Sequence, residues 1–205
     1  MLFVVAAIGL GALIGLALAV LLDRLYSGAP WRGGLRSPLT RAGLLVPATA
    51  ALYGVAAAKA HDGRHFVLMA IFGAILLALT ATDLERYLLP DRVMYPALAL
   101  ALALSWLWPE RAAWEGLAGG AVGLLIMLLI FLVLPGFGFG DVKLAGLIGL
   151  VVGIHAVLSA LLYGAILGGV GAAALLLSRR AGLRTAIAYG PYLATAAILV
   201  MLARR

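Results

Sequence analysis

The chain has no cysteine, which excludes disulfides, thiolate zinc centres and a cysteine nucleophile. Charge is almost as scarce: 11% of the 205 residues are charged and 65% are hydrophobic, with a mean hydropathy of +1.16. No water-soluble domain of this size can hide that much apolar surface, so the class is integral membrane protein. Histidine occurs three times. His61 and His65 flank one loop and His155 stands alone in an apolar run, so no metal cluster is evident and none is assigned to catalysis. The net charge of +7 does not point to nucleic acid. The basic residues are scattered at the ends of apolar runs, as expected of anchors facing anionic lipid headgroups.

What remains is apolar runs separated by short polar breaks. They predict an all-α polytopic bundle of about eight transmembrane helices, over residues 1–22, 42–58, 66–82, 93–108, 116–134, 142–157, 158–177 and 186–203. Met1–Leu22 lacks a basic start and a small-residue cleavage site, so it reads as a retained span. The sixth and seventh spans have no polar break between them, and the seam is expected as a tight hairpin near His155–Ser159. One membrane domain over 1–205 is expected, with a first span and short basic loop (1–41) preceding a core (42–205).

Counting Lys and Arg in the breaks orients the chain. Arg24, Arg32, Arg36, Arg41, Arg86, Arg92, Lys143, Arg179, Arg180 and Arg184 fall on one side. Lys59, Arg64, Arg111, Arg204 and Arg205 fall on the other. The richer side is cytoplasmic by the positive-inside rule. Asp83 and Asp141 then share the cytoplasmic face, although the count did not use them. Glycines four apart, at Gly11/Gly15, Gly119/Gly123, Gly149/Gly153 and Gly164/Gly168, fit close helix packing in lipid. The break 23–41, with Pro30, Gly33, Gly34 and Pro38, reads as an irregular loop.

With so few acids, each can be weighed. Asp23, Asp62, Glu110 and Glu115 lie in polar breaks beside basic residues and read as solvated charges. Asp91 follows Pro90, which cannot continue a preceding helix, so Asp91 is expected to cap the fourth span. Asp83 closes a long apolar run, and Asp141 follows the glycine-rich turn Gly136-Phe137-Gly138-Phe139-Gly140. A carboxylate at a membrane boundary is a functional candidate by default. A glycine turn with an aspartate N-cap is the structural alternative for Asp141. Two aspartates in contact cannot easily both ionise, so the pair can share a proton. The charged member then takes a proton from water while the other donates one to a carbonyl or departing amine. Lys143 reads as an interfacial anchor, or as a charge that keeps one aspartate ionised.

Three segments resemble the prepilin peptidases, the type IV leader peptidases of the intramembrane aspartic class with a Gly-x-Gly-Asp signature. Gly138-Phe139-Gly140-Asp141-Val142-Lys143-Leu144 resembles their second catalytic motif. Asp83, followed after Leu84–Leu89 by Pro90-Asp91, resembles the first, and Tyr189-Gly190-Pro191-Tyr192 resembles a Gly-Pro signature near the last span. The resemblance covers about residues 44–200. It implies Asp83 and Asp141 as the catalytic pair, with Gly138, Gly140, Lys143, Pro90, Asp91, Gly190 and Pro191 in support. The chain departs from longer members in lacking their Cys-x-x-Cys zinc-binding loop, because 23–41 is too short to hold it. Gly11–Arg24 also carries apolar Ala17–Ala19 where a polar stretch containing Asn is common.

The reaction implied is hydrolysis of one peptide bond after a short basic leader on a prepilin or pilin-like protein, at the cytoplasmic face of the inner membrane. The acidic patch of Asp83, Glu85, Asp91 and Asp141 suits such a leader, with Glu85 and Asp91 as contacts. Many members also N-methylate the new terminus. Proteolysis implies no cofactor, and S-adenosylmethionine enters only where methylation is retained. Membrane lipid is the other expected partner. Two other classes compete. A proton-coupled transporter would hold carboxylates near mid-membrane on broken helices, and a non-catalytic pilus or secretion assembly subunit would have lost the pair.

Overall fold

The computed structural model describes residues 1–26, 38–134, 137–178 and 188–203. The loop prolines and arginines at 27–37, Gly136, Arg179, Arg180, Arg184, Arg204 and Arg205 lie outside these residues. Among the described residues there are eight α-helices and no strand: α1 Leu2–Tyr26, α2 Pro38–Lys59, α3 Gly63–Arg86, α4 Asp91–Ala103, α5 Ala113–Val133, α6 Phe139–Val152, α7 Ile154–Leu177 and α8 Gly190–Ala203. A 3₁₀ turn, Ser105–Leu107, follows α4. The protein is an all-α, multi-pass membrane bundle. Five helices, α1, α2, α3, α5 and α7, are long and apolar enough to cross a membrane. The α4, α6 and α8 helices have 13, 14 and 14 residues, below the roughly 20 that a crossing needs.

Burial explains the short α6. Its residues from Asp141 to Val152 are buried with the sole exception of Lys143, so it is a core helix enclosed by its neighbours rather than a lipid-facing one. It lies against α5, α4, α7 and α8. The α5 contact is backbone on backbone. A Cβ at Gly149 would come within 2.0 Å of the Gly119 carbonyl oxygen, and one at Gly123 within 2.4 Å of the Ala145 oxygen. Glycine is therefore required for this approach, as expected where packing alone drives helix association in lipid. Gly11 and Gly15 serve α1 in the same way, meeting the α2 backbone at Thr49 and Leu45. The α3 helix is also mostly buried, packed by α8, α2, α1 and α4.

The seam between the sixth and seventh spans differs from expectation. It falls at Gly153, whose φ of 76° ends α6 in a conformation open to glycine and closed to most other residues. His155 and Ser159 lie inside α7. The turn needs no polar residue, which is why a search for polar breaks placed it too late. The carbonyls freed at this helix end are partly satisfied from elsewhere: the buried Arg111 guanidinium donates to Leu150 O and Val151 O.

Arg41 also differs. Expected as an interfacial anchor, it is fully buried, and its guanidinium grips both carboxylate oxygens of Glu85, through Nε to Oε1 and through Nη2 to Oε2 at 2.7 Å. Nη1 adds the Ala19 carbonyl at 3.3 Å and lies 3.6 Å from Asp23 Oδ1. A planar fork satisfies a carboxylate at both oxygens, so the pair ties α2 to α3 inside the bundle rather than to headgroups.

Candidate active site

Asp83 sits in the last turn of α3. The chain leaves that helix through Tyr87, which takes the left-handed conformation at φ 53° and donates its N–H to Asp83 O at 2.8 Å. Leu88 and Leu89 follow, and Pro90, extended at φ −73° and ψ 129°, is the residue that precedes α4. Asp91 is already inside the helix, where its side chain does not reach back to the free amides. The expected cap is thus corrected: no side chain caps α4, and Asp91 instead accepts a 2.6 Å hydrogen bond from Lys143 Nζ. Lys143 also rests over the Tyr95 ring at 4.5 Å, so its charge is directed at Asp91 rather than at the aspartate two residues before it.

Asp141 is not the N-cap of α6 either. Gly138 holds that place and Asp141 is the third helical residue, whose Oδ2 reaches back to accept the Gly138 N–H at 3.0 Å. The aspartate thereby satisfies one of the amides that a helix start leaves without a partner. Asp83 has a matching arrangement with a different helix. Its Oδ2 accepts the N–H of Gly190, the first residue of α8, at 3.0 Å. Both side chains are buried, at 6% and 8% exposure. In each, this backbone bond takes Oδ2.

The two carboxylates come from the C-terminal end of α3 and the N-terminal end of α6, and the Asp141 charge acts on Asp83 through space. α8 touches both helices. Just before it, Tyr189 feels the Asp141 charge and packs edge-on against Phe137 at 4.9 Å. Leu89 fills the gap between the glycines that flank the pair. A Cβ on Gly140 would meet Leu89 Cβ at 3.0 Å, and one on Gly190 would meet Leu89 Cδ2 at 3.3 Å.

Beside the pair lies a cavity of about 610 Å³, lined by Tyr26, Thr82, Arg86, Leu88, Leu89, Pro90, Asp91, Phe139, Gly140 and Lys143. Thr82 and Gly140 are the residues just before the two aspartates, which do not themselves line the cavity, and Leu89 forms part of its wall. Glu85 does not belong to this surface. It is fully buried on Arg41, which corrects the expectation that it meets a leader: an ion pair closed at both oxygens has no face left to offer. Sequence reasoning passed over Leu89 and Arg41. Leu89 adjoins the Pro90-Asp91 pair, but its contacts with Gly140 and Gly190 cross the chain and leave no local signal.

A second polar cluster corrects two further expectations. Glu110 is not a solvated charge, and the histidines of the α2–α3 turn are not isolated from it: Glu110 Oε1 lies 3.2 Å from Nε2 of both His61 and His65. His155, expected to stand alone, lies 4.0 Å from Glu115.

The type IV leader peptidase family profile matches residues 70–173, just over half of the chain and inclusive of both aspartates. Among curated relatives, the prepilin leader peptidase/N-methyltransferase of Bacillus subtilis (strain 168) is 28% identical over 155 residues, 75% of this chain and 62% of that protein. The proteins of the same description from Pseudomonas putida and Xanthomonas campestris pv. campestris are 32% and 34% identical, over 62% and 63% of this chain and 46% and 49% of theirs. The chain spans less than two thirds of the length of these relatives. No solved structure matches it. A buried carboxylate on each of two core helices, in segments that lie within the matched region, is the setting in which the family assignment falls: the chain belongs to the type IV leader peptidase family.

Proposed function

We propose that this protein is a membrane aspartic endopeptidase that removes the short basic leader from a type IV prepilin or pilin-like protein, with Asp83 and Asp141 as the catalytic pair. The observation that carries the reading is that two buried carboxylates, at the end of α3 and the start of α6, are each held through Oδ2 by a backbone N–H, with Leu89 packed against the glycines beside both. With Oδ2 of each engaged by a backbone N–H, Oδ1 is the oxygen left to work on water or substrate. One aspartate, ionised, takes a proton from the attacking water. The other, protonated, donates its proton to the carbonyl oxygen. When the tetrahedral intermediate collapses it takes a proton back from a hydroxyl, while the first passes the proton it took from water to the departing amine. The reaction needs no cofactor on this scheme.

The substrate's apolar helix lies in the lipid against the bundle and presents its leader junction at the cytoplasmic end, where the count of basic residues puts Asp83 and Asp141. The 610 Å³ cavity receives the residues next to the cut bond, between the apolar walls of Leu88, Leu89 and Phe139. Asp91, half-exposed at its rim, is the carboxylate that remains to attract leader lysines or arginines once Glu85 is committed to Arg41. That attraction is softened by Lys143.

Replacement of either Asp83 or Asp141 by Asn is expected to abolish cleavage of a reconstituted prepilin while the protein stays folded. Full cleavage by both single variants would remove the pair from the mechanism. Mass spectrometry of the mature substrate reads the cut site and any N-methylation together, and leader loss on co-expression separates a peptidase from a transporter or an assembly subunit.

A further inference from the structure

We propose that His61, His65 and Glu110 form a binding site for a divalent transition-metal ion, zinc by preference, at the end of the bundle remote from the aspartates. The local sequence builds half of it. Asp62 N-caps α3 by accepting the His65 N–H at 2.6 Å, which closes the first turn and stacks the His61 and His65 rings at 5.1 Å and 15°. Tertiary structure supplies the rest. The connection between α4 and α5 brings in Glu110, whose Oε1 lies 3.2 Å from both Nε2 atoms, and the three ligand atoms all fall within 4.8 Å of one another.

These distances suit a shared ion. Ligands about 2.1 Å from a tetrahedral zinc stand about 3.4 Å apart along each edge. The two carboxylate–imidazole separations already match, so only the gap between the imidazoles has to close. Two imidazoles and one carboxylate are a zinc-type donor set, whereas calcium and magnesium call for oxygen donors and higher coordination. His65 is buried at 1% exposure and Glu110 nearly so, while His61 is half-exposed, which leaves an entry path and a fourth position for water. His65 is further fixed by the Trp108 ring, edge-on at 6.0 Å. On loading, the proton of His65 moves to Nδ1, which releases the long 3.4 Å contact that Nδ1 makes with the His61 N–H. The ion would clamp the α2–α3 turn to the α4–α5 connection. From His65 to Asp83 is 18 residues of continuous helix, about 27 Å at 1.5 Å per residue, so the clamp takes no direct part in chemistry at the aspartates.

The test uses the full chain purified in detergent without a polyhistidine tag, stripped with chelator and titrated with zinc chloride, calcium chloride serving as control. One zinc per chain is expected, with the melting temperature raised by about 5–10 °C at a hundredfold excess over Kd and no shift with calcium. His61→Ala and Glu110→Gln should each weaken zinc binding at least tenfold, and His61→Ala, at a half-exposed position, should melt like the wild type without metal. Less than half an equivalent of zinc on the wild type, an equal response to calcium, or wild-type affinity in both variants would overturn the site.

Discussion

A single methyl group added at Gly190 reaches Asp83 without altering its chemistry. The Cβ of Gly190→Ala would lie 2.8 Å from Asp83 Oδ2 and 3.2 Å from its Cγ, where ordinary contact begins at 3.4 Å. The carboxylate must therefore retreat by about 0.6 Å, the shortfall against that van der Waals contact distance, and its 3.0 Å bond from the Gly190 N–H lengthens with it. A 1 Å misplacement at a reacting group can cost about 10²-fold, so a loss of roughly 10- to 100-fold in kcat is expected, about 1.4–2.7 kcal/mol of barrier. Crowding in a packed interior costs about 1–3 kcal/mol. The gain of about 0.5–1 kcal/mol from replacing glycine in a helix partly offsets it, so the melt should shift by only a few degrees. Prepilin cleavage in proteoliposomes, followed at saturating substrate beside a thermal melt of the same preparation, reads both quantities. A Gly190→Ala protein that melts near wild type and cleaves at the wild-type rate would show that the Gly190 contact does not position a catalytic Asp83.

The two motif glycines should separate in the same assay. A Cβ at Gly138 meets Asp141 Oδ2 at an ordinary 3.6 Å, whereas one at Gly140 meets Leu89 Cβ at 3.0 Å, so Gly138→Ala should keep most of the rate and Gly140→Ala should lose several-fold more. Arg41→Ala would strand a buried Glu85 and is expected to cost about 3–5 kcal/mol, seen as a lowered melting temperature. Replacing both members with apolar residues of similar size should recover much of that loss, and an equally unstable double variant would contradict the pairing. Gly149→Ala would drive a Cβ to 2.0 Å from the Gly119 carbonyl oxygen and should part α5 from α6, with a large drop in melting temperature. A melt unchanged from wild type would mean that these backbones do not touch.

What the sequence by itself determined is the class, the helix count and the identity of the two candidate acids. Hydropathy is a sum along the chain, so apolar runs reveal helices, and an aspartate at the edge of such a run stands out because hydrocarbon penalises it. Helix starts were legible only to within a few residues. The chain enters α6 at Phe139 rather than at Asp141, and α4 at Asp91 rather than after it, because a cap depends on which backbone amides a side chain meets in three dimensions. The tertiary structure alone decided the fate of the charges. Arg41 and Glu85 are 44 residues apart in the chain, and each looks like a surface charge until packing closes one on the other. Glu110 reads as solvated until the α4–α5 connection lays it on His61 and His65. Nothing local marks Leu89 as the wall between two glycines or Gly190 as the donor to Asp83. A burial penalty is felt residue by residue and shows in composition, whereas a charge finds its partner through the fold. The sequence could therefore say which residues were costly to bury, and only the assembled bundle says what stabilises each of them there.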